Sequence, residues 1–331
     1  MKKYSLGFVL GKFCPLHKGH MFLIDKALET CEKVYVVVDN IMDEVISVKK
    51  RIEWVRAQYP QIEVFTQLRP LPQDPSETPD FWNIWRTTLL SILPHKPDAV
   101  FASEHYGQRL AKELSADFVE VDIERRNIPI SATQIRNDLC KNWNYLSDAV
   151  KSDFQVSICI YGPESTGKST LTKQLAEYFD ACYVEEYAKE VIENNKGDIR
   201  YEDMEKIISG HHSKICLAAA SLTPIFFVDT DAITSEIWSE ELFGKKPDNI
   251  SYYIQNQNFT HYLLLDVDID WQDDIHRFRP DNRVEFFNIC RQRLELYHRP
   301  YTIISGKGNI RLQNAINVVN KLLPFNKIIT N

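Results

Sequence analysis

The sequence predicts an α/β fold built as two doubly wound parallel-sheet domains, and three observations carry that reading. Short apolar runs of strand length alternate with amphipathic helical patterns. The order strand, glycine turn, helix occurs twice, from Tyr4 to Thr30 and again from Val156 to Phe179. The length of 331 residues exceeds a usual single domain. Residues 137–152 read as a polar helical tail without a core pattern, so the boundary is expected near Asp153, giving domains 1–152 and 153–331.

Composition narrows the function. With 44% hydrophobic and 26% charged residues the chain can build real cores. A net charge of -7 argues against a general nucleic-acid binder or a binder of acidic membranes. Any phosphate site must then be local. No apolar run reaches membrane-spanning length, and the glycine turn follows Met1-Lys2-Lys3 too closely for a signal sequence. Seven cysteines without a Cys-x-x-Cys pair suit reduced thiols in a cytoplasmic protein. Self-association into a homo-oligomer is left open.

Tyr4 to Leu10 reads as a buried strand that ends in the turn Gly11-Lys12-Phe13-Cys14-Pro15-Leu16-His17-Lys18-Gly19-His20. Gly11 permits close backbone approach, and Pro15 stops the strand. A helix follows from Lys18 to Thr30, with Leu23, Ile24, Ala27 and Leu28 on one face. His17 and His20 lie one turn apart beside the free N–H groups of its N-terminus, an arrangement suited to a phosphate chain. The pair lacks the intervening Glu and the third ligand of a zinc site.

Val34 to Asp39 is the second parallel strand, Val48 to Tyr59 a helix stopped by Pro60, and Ile62 to Thr66 extended. Residues 69–79 form a proline-dense loop feeding a helix from Asp80 to Leu93. Trp82 and Trp85 share a face of that helix, where core packing competes with stacking on a flat heterocycle. Asp98 to Ser103 is a strand with Glu104-His105-Tyr106-Gly107 at its carboxyl edge, where open α/β sheets place ligands. After a strand at Phe118 to Val121, Ser131 caps a helix carrying Thr133 and Arg136, so hydroxyls, N–H groups and a guanidinium converge.

Gly11-x-Phe13-x-Pro15-x-His17-x-Gly19-His20, with Ile130-Ser131-Ala132-Thr133-Gln134-Ile135-Arg136 further on, resembles the signatures of the nucleotidyltransferase superfamily related to class I aminoacyl-tRNA synthetases. The resemblance implies adenylyl transfer, with His17, His20 and Arg136 stabilising charge and Gly11, Phe13, Lys18, Gly19, Ser131 and Thr133 contacting ATP. Asp39, Trp82, Trp85, Glu104 and Tyr106 would then meet the second substrate.

In the second half, Val156 to Tyr161 is a buried strand followed by Gly162-Pro163-Glu164-Ser165-Thr166-Gly167-Lys168-Ser169-Thr170 and a helix. This is the Walker A pattern in its structural context, with Lys168 reaching the β/γ oxygens of ATP and Ser169 coordinating Mg²⁺. Ile225 to Asp231 supplies an acid at a strand end. Asp229 fits the Mg²⁺ role and Asp231 a helix cap, with the choice of metal partner open. Glu185-Glu186-Tyr187 lies where small-molecule kinases hold an acceptor, and either carboxylate could orient a hydroxyl. Residues 271–283, with Arg277, Arg279 and Arg283, suit a lid over ATP.

Taken whole, the chain resembles the bacterial bifunctional nicotinamide mononucleotide adenylyltransferase and ribosylnicotinamide kinase family. That resemblance implies a kinase acting on nicotinamide riboside, with Glu186 and Asp229 among its catalytic residues, Asp231, Glu185 and Tyr187 near the riboside, and Arg277 on ATP. It implies Mg²⁺ and no nucleic-acid partner. Some members open with a helix-turn-helix repressor segment, whereas this sequence opens on the catalytic strand, so repression is not expected of it. Lys189 stands where arginine is usual, and Ile275-His276 where glycine is usual. The alternatives are another fused adenylyltransferase and kinase, such as one of coenzyme A synthesis, and a nucleotide-sensing regulator without turnover.

Overall fold

The computed structural model describes residues 2–42, 45–270 and 282–323. They form two compact units that meet in sequence between Asp153 and Phe154. The first contains β1 (Tyr4–Gly11), α1 (Lys18–Thr30), β2 (Cys31–Val38), α2 (Val48–Gln58), β3 (Glu63–Phe65), α3 (Phe81–Ile92), β4 (Ala99–Ala102), α4 (Tyr106–Leu114), β5 (Asp117–Glu120), α5 (Ala132–Asn137) and the start of α6 (Asp148–Phe154). Its five strands are parallel in the order β3-β2-β1-β4-β5. The chain turns outward on both sides of the β1–β4 pair, which opens a crevice at their carboxyl ends.

Burial explains why these segments are strands. Phe8, Val9 and Val34 to Val38 are almost fully buried because helices cover both faces, so the runs are continuously apolar rather than alternating. One face packs Leu6, Phe8, Tyr35 and Val37 against Phe81, Trp85, Leu89, Leu110 and Leu114 of α3 and α4.

Residues 137–152 correct the sequence reading. Leu139, Trp143, Leu146 and Val150 are buried, and Leu146 forms an isolated bridge with His17 while Ser147 N–H donates to the Leu16 carbonyl at 3.3 Å. Their spacing of four, three and four residues carries the helical period, hidden by the polar residues between. The segment is therefore a wall behind the histidine turn.

The second unit contains β6 (Val156–Tyr161), α7 (Lys168–Tyr178), β7 (Cys182–Val184), α8 (Tyr187–Asn194), α9 (Asp203–Ala220), β8 (Ile225–Asp229), α10 (Ala232–Phe243), α11 (Ile250–Asn256), β9 (His261–Leu265), α12 (Arg283–Leu296), β10 (Tyr301–Ile304) and α13 (Asn309–Leu322). Its five parallel strands run β10-β9-β6-β8-β7, with β6 central. One face packs on α7 and α13 through Leu171, Leu175, Ala315 and Val319, and the other on α9, α10 and α12. No helix among the described residues is long and apolar enough to cross a membrane.

One buried side chain organises the crevice of the first unit. Arg51 of α2 is fully buried and donates to the carbonyls of Lys12 at 2.6 Å, Asp39 at 2.8 Å and Ile46 at 3.0 Å. Its planar fork fixes the loops after β1 and β2 together. Replacing it by Met leaves these carbonyls without their donor, and each lost charged bond costs about 1.5–3 kcal/mol. Arg51→Met should lower the stability of the first unit by roughly 3 kcal/mol or more. Urea unfolding should show its transition moving to lower denaturant while that of the second unit stays in place.

Candidate active sites

The first crevice is a cleft of about 460 Å³. Its lining includes Gly11, His17, Gly19 and His20 from the first turn and Ser131, Thr133 and Arg136 from the start of α5. Asp39, Trp82, Trp85, Glu104 and Tyr106 line it as well. Residues far apart in sequence thus meet at one cleft. Phe13 and Lys18 are absent from its lining. Phe13 is fully buried with its ring 4.8 Å from that of His20, so it supports the histidine from below, and Lys18 is exposed at the start of α1.

His17 is both N-cap and wall of the cleft. Its Nδ1 accepts the Gly19 N–H at 3.1 Å, which leaves the proton of the neutral ring on Nε2. The rings of His17 and His20 lie 3.8 Å apart. Burial, then Arg125 and Arg136, brings the pKa of His17 down to about 4. Burial, then His17, also lowers His20 well below the ordinary histidine range. Both rings are therefore neutral near pH 7, His17 with its proton on Nε2, while the fixed positive charge comes from arginine. Arg136 donates to the Cys14 carbonyl at 2.6 Å and to Thr133 Oγ1 at 3.1 Å, tying α5 to the histidine turn.

The second-substrate side is held by backbone bonds. Tyr106 donates to the Leu10 carbonyl at 2.8 Å, and Trp85 Nε1 donates to the Pro72 carbonyl at 2.9 Å, pinning the proline loop. Trp85 is a core residue reaching the cleft edge, while Trp82 is only half-buried. Asp122 and Arg125 also line the cleft, although the sequence reading assigned them no role. Asp122 accepts from the backbone of Arg126, Asn127 and Ile128 and so shapes the turn before α5. Its signal was an acid just beyond a strand end.

In the second unit the loop from Gly162 to Lys168 wraps toward the N-terminus of α7. Gly162 has φ +135° and a Cβ there would lie 3.1 Å from the Leu265 carbonyl oxygen, while Gly167 has φ +82°. Glycine is required at both. Lys168 Nζ donates to the Pro163 carbonyl at 2.9 Å. Two arginines brace the loop: Arg311, to which the sequence reading gave no role, and Arg283, which it placed in a lid. Arg311 of α13 donates to the carbonyls of Thr166 and Gly306 and pairs with Asp268, and Arg283 donates to the Ser165 carbonyl at 3.1 Å. Thr170 is exposed in the first turn of α7.

Asp229 and Asp231 have separate jobs. Ser169 Oγ donates to Asp229 Oδ2 at 2.5 Å, and Asp229 Oδ1 is buried without a partner among the described residues. Burial, then the charge of Glu186, raises the pKa of Asp229. Lys189 Nζ donates to Ser169 Oγ at 2.6 Å and lies 3.6 Å from Asp229 and 3.5 Å from Glu186. A hydroxyl and an unsatisfied carboxylate oxygen are hard ligands that fit Mg²⁺. Asp231 instead caps α10 through the Thr234 N–H at 3.0 Å and accepts from Tyr262 at 2.8 Å. This is the helix cap read from the sequence, and Asp231 is buried there.

A smaller cavity of about 60 Å³ lies beside this cluster, and its lining includes Glu164, Glu186, Tyr187, His211, Thr230 and Trp238. Glu185, expected there, is exposed and pairs with Lys173 at 2.8 Å. Arg277 and the rest of residues 271–281 lie outside the described residues.

The histidine shifts carry a stability consequence. His17 is neutral in the folded chain down to about pH 4, whereas in the unfolded chain it protonates near 6.5. Between these values the unfolded state binds more protons, so this contribution is fully present above pH 6.5 and is lost as pH falls toward 4. The loss reaches about 3 kcal/mol at most. His17→Asn, which keeps a capping oxygen, should flatten the dependence between pH 6.5 and 4 in denaturant unfolding at fixed ionic strength. An unchanged slope would contradict a buried neutral imidazole.

Each half of the chain matches a known family. Residues 8–138 match the cytidylyltransferase-like family, and residues 157–311 match an AAA domain. The trifunctional NAD biosynthesis/regulator protein NadR of Escherichia coli (strain K12) is 27% identical over 323 residues, 89% of this chain and 77% of that protein. NadR of Salmonella typhimurium is 26% identical over 300 residues, 82% of this chain and 72% of that protein. A crystal structure of NadR in complex with NR has a TM-score of 0.64 at 22% identity, covering 97% of this chain and 96% of its own. Another, with NAD and AMP-PNP, has a TM-score of 0.61 at 22% identity, covering 98% and 97%. The fold of these structures is the fold of this chain. A cytidylyltransferase-like crevice followed by a P-loop domain, within matches that span 89% and 82% of the chain, makes this protein a homologue of the NadR proteins.

Proposed function

We propose that the chain makes NAD from nicotinamide riboside in two ATP-dependent steps, one in each unit. What supports the reading is a phosphate-binding type of turn beside a cavity in each unit, in a chain that aligns with NadR over 89% of its length. In the P-loop unit the 5′-hydroxyl of nicotinamide riboside attacks the γ-phosphorus of ATP, the bond to the β–γ bridging oxygen breaks, and ADP leaves. Glu186, which lines the small cavity, orients the hydroxyl and takes its proton. Lys168 and Lys189 stabilise charge on the transferring group. Ser169 and Asp229 would hold Mg²⁺, which supplies charge neutralisation at the β and γ oxygens when bound with the nucleotide.

In the first unit an oxygen of the mononucleotide phosphate attacks the α-phosphorus of ATP, giving NAD and pyrophosphate. His17 and His20 donate as neutral N–H groups to the oxygens where charge builds, and Arg136 supplies a full positive charge. Asp39, Trp82 and Tyr106 bound the mononucleotide side. Neutral donors already aimed at the reacting oxygens need no reorganisation during transfer. No protein nucleophile is required. The working place we propose is the cytoplasm, where the seven free thiols stay reduced.

Separation of the two activities tests this scheme. His20→Ala should reduce adenylyl transfer by about 10²–10³-fold, the usual cost of one preorganised donor, and leave riboside phosphorylation unchanged. Lys168→Ala should do the reverse. Each is read by product assay on the purified full chain with ATP, Mg²⁺ and either riboside or mononucleotide. Loss of both reactions in either folded variant contradicts two independent sites.

A further inference from the structure

His211 of α9 is a buried side chain that the scheme above leaves unused. It is 5% exposed and lines the small cavity of the P-loop unit. Its Nε2 lies 3.2 Å from the Thr230 carbonyl oxygen, which can only accept, so Nε2 carries the proton of the neutral ring. Nδ1 is then a bare lone pair. It is buried and has no hydrogen-bond partner among the described residues. Burial lowers the pKa of His211, which keeps Nδ1 unprotonated. A buried acceptor left unmade is expensive, so the site calls for a ligand group that donates.

The neighbouring residues fix where that donor lies. Thr230 directly follows Asp229, whose partner is the P-loop Ser169, so the ring is anchored at the end of the cavity where phosphoryl transfer occurs. That end receives the sugar of the acceptor rather than its base. The same helix is pressed against the opposite wall. A Cβ on Gly210 would lie 2.2 Å from the Tyr187 ring, and Lys214 Nζ stands 4.5 Å from the centre of that ring. Met204, Ile207 and His211 of α9 line the cavity, and Gly210 and Lys214 hold that helix close against Tyr187.

Resting on the reading of this unit as a riboside kinase, we propose that His211 Nδ1 accepts a hydrogen bond from a ribose hydroxyl of the acceptor and positions the sugar for transfer. The consequence is selectivity for the hydroxylated sugar, because an acceptor lacking the hydroxyl leaves Nδ1 unpaired.

The test uses the full chain with Mg²⁺–ATP and three acceptors: nicotinamide riboside and its 2′-deoxy and 3′-deoxy analogues. The wild-type chain should lose about tenfold or more in kcat/KM on one deoxy analogue. His211→Ala should lose a similar factor on the riboside itself and show no further loss on that analogue. Should the alanine variant fail to fold, His211→Phe keeps the ring volume and is judged by the same criterion. Wild-type indifference to both hydroxyls overturns the proposal. So does discrimination that survives in the variant, as it would if Nδ1 faced only a buried water. Absence of any riboside phosphorylation by the wild-type chain overturns the kinase reading and this proposal with it, whereas normal turnover with an unimpaired His211→Ala overturns only the role of His211.

Discussion

Both units depend on one constraint: a buried parallel strand must hand its chain into a helix whose first N–H groups have no partner within the helix. β1 leads into α1 and β6 into α7 in this way, each strand at the centre of its sheet. The two strand-to-helix turns satisfy the constraint differently. In α1 the N-terminus is partly closed by His17, which takes the Gly19 N–H and turns its own Nε2 proton outward. In α7 the N-cap is Gly167, with no side chain to close it. The first turn therefore presents imidazole donors, and the second presents backbone.

The same contrast governs charge. The first cleft keeps its histidines neutral through burial and the nearby positive charges of Arg125 and Arg136. The second gathers opposite charges at short range, with Lys189 among Ser169, Glu186 and Asp229. A buried carboxylate such as Asp229 is tolerable only beside such a cation or a metal. Lys189 stands at a position where the family resemblance leads one to expect arginine. Its compact ammonium reaches between three oxygen-bearing side chains, a geometry that a planar guanidinium would fill differently.

Loop geometry in both units rests on buried or half-buried guanidinium groups outside the reacting sites. Arg51 ties together the loops after β1 and β2, and Arg311 with Arg283 braces the P-loop through the Thr166 and Ser165 carbonyls. Arginine suits the task because its donors spread in a fixed plane and remain charged when buried. Arg51 and Arg311 carry no motif, so no local pattern marks them. A lone arginine in an amphipathic helix reads as a solvated residue, and only the packing around it shows where its donors go.

Much of the architecture is legible in the chain alone because the signals are local. Apolar runs mark β1, β2, β6, β8 and β9, and the glycine turns mark the two phosphate loops, since positive φ and close backbone approach leave little choice of residue. Residue pairs brought together over long sequence distances were decided by tertiary structure. It assigned Asp229 to the P-loop serine and Asp231 to a helix cap, moved Glu185 onto Lys173 at the surface, buried Phe13 beneath His20, and set Leu146 behind His17. Two neighbouring acids are chemically alike in sequence. Position suggests a metal role for one and a cap for the other, and strand pairing and burial fix which oxygen meets a serine, a backbone N–H or a lysine.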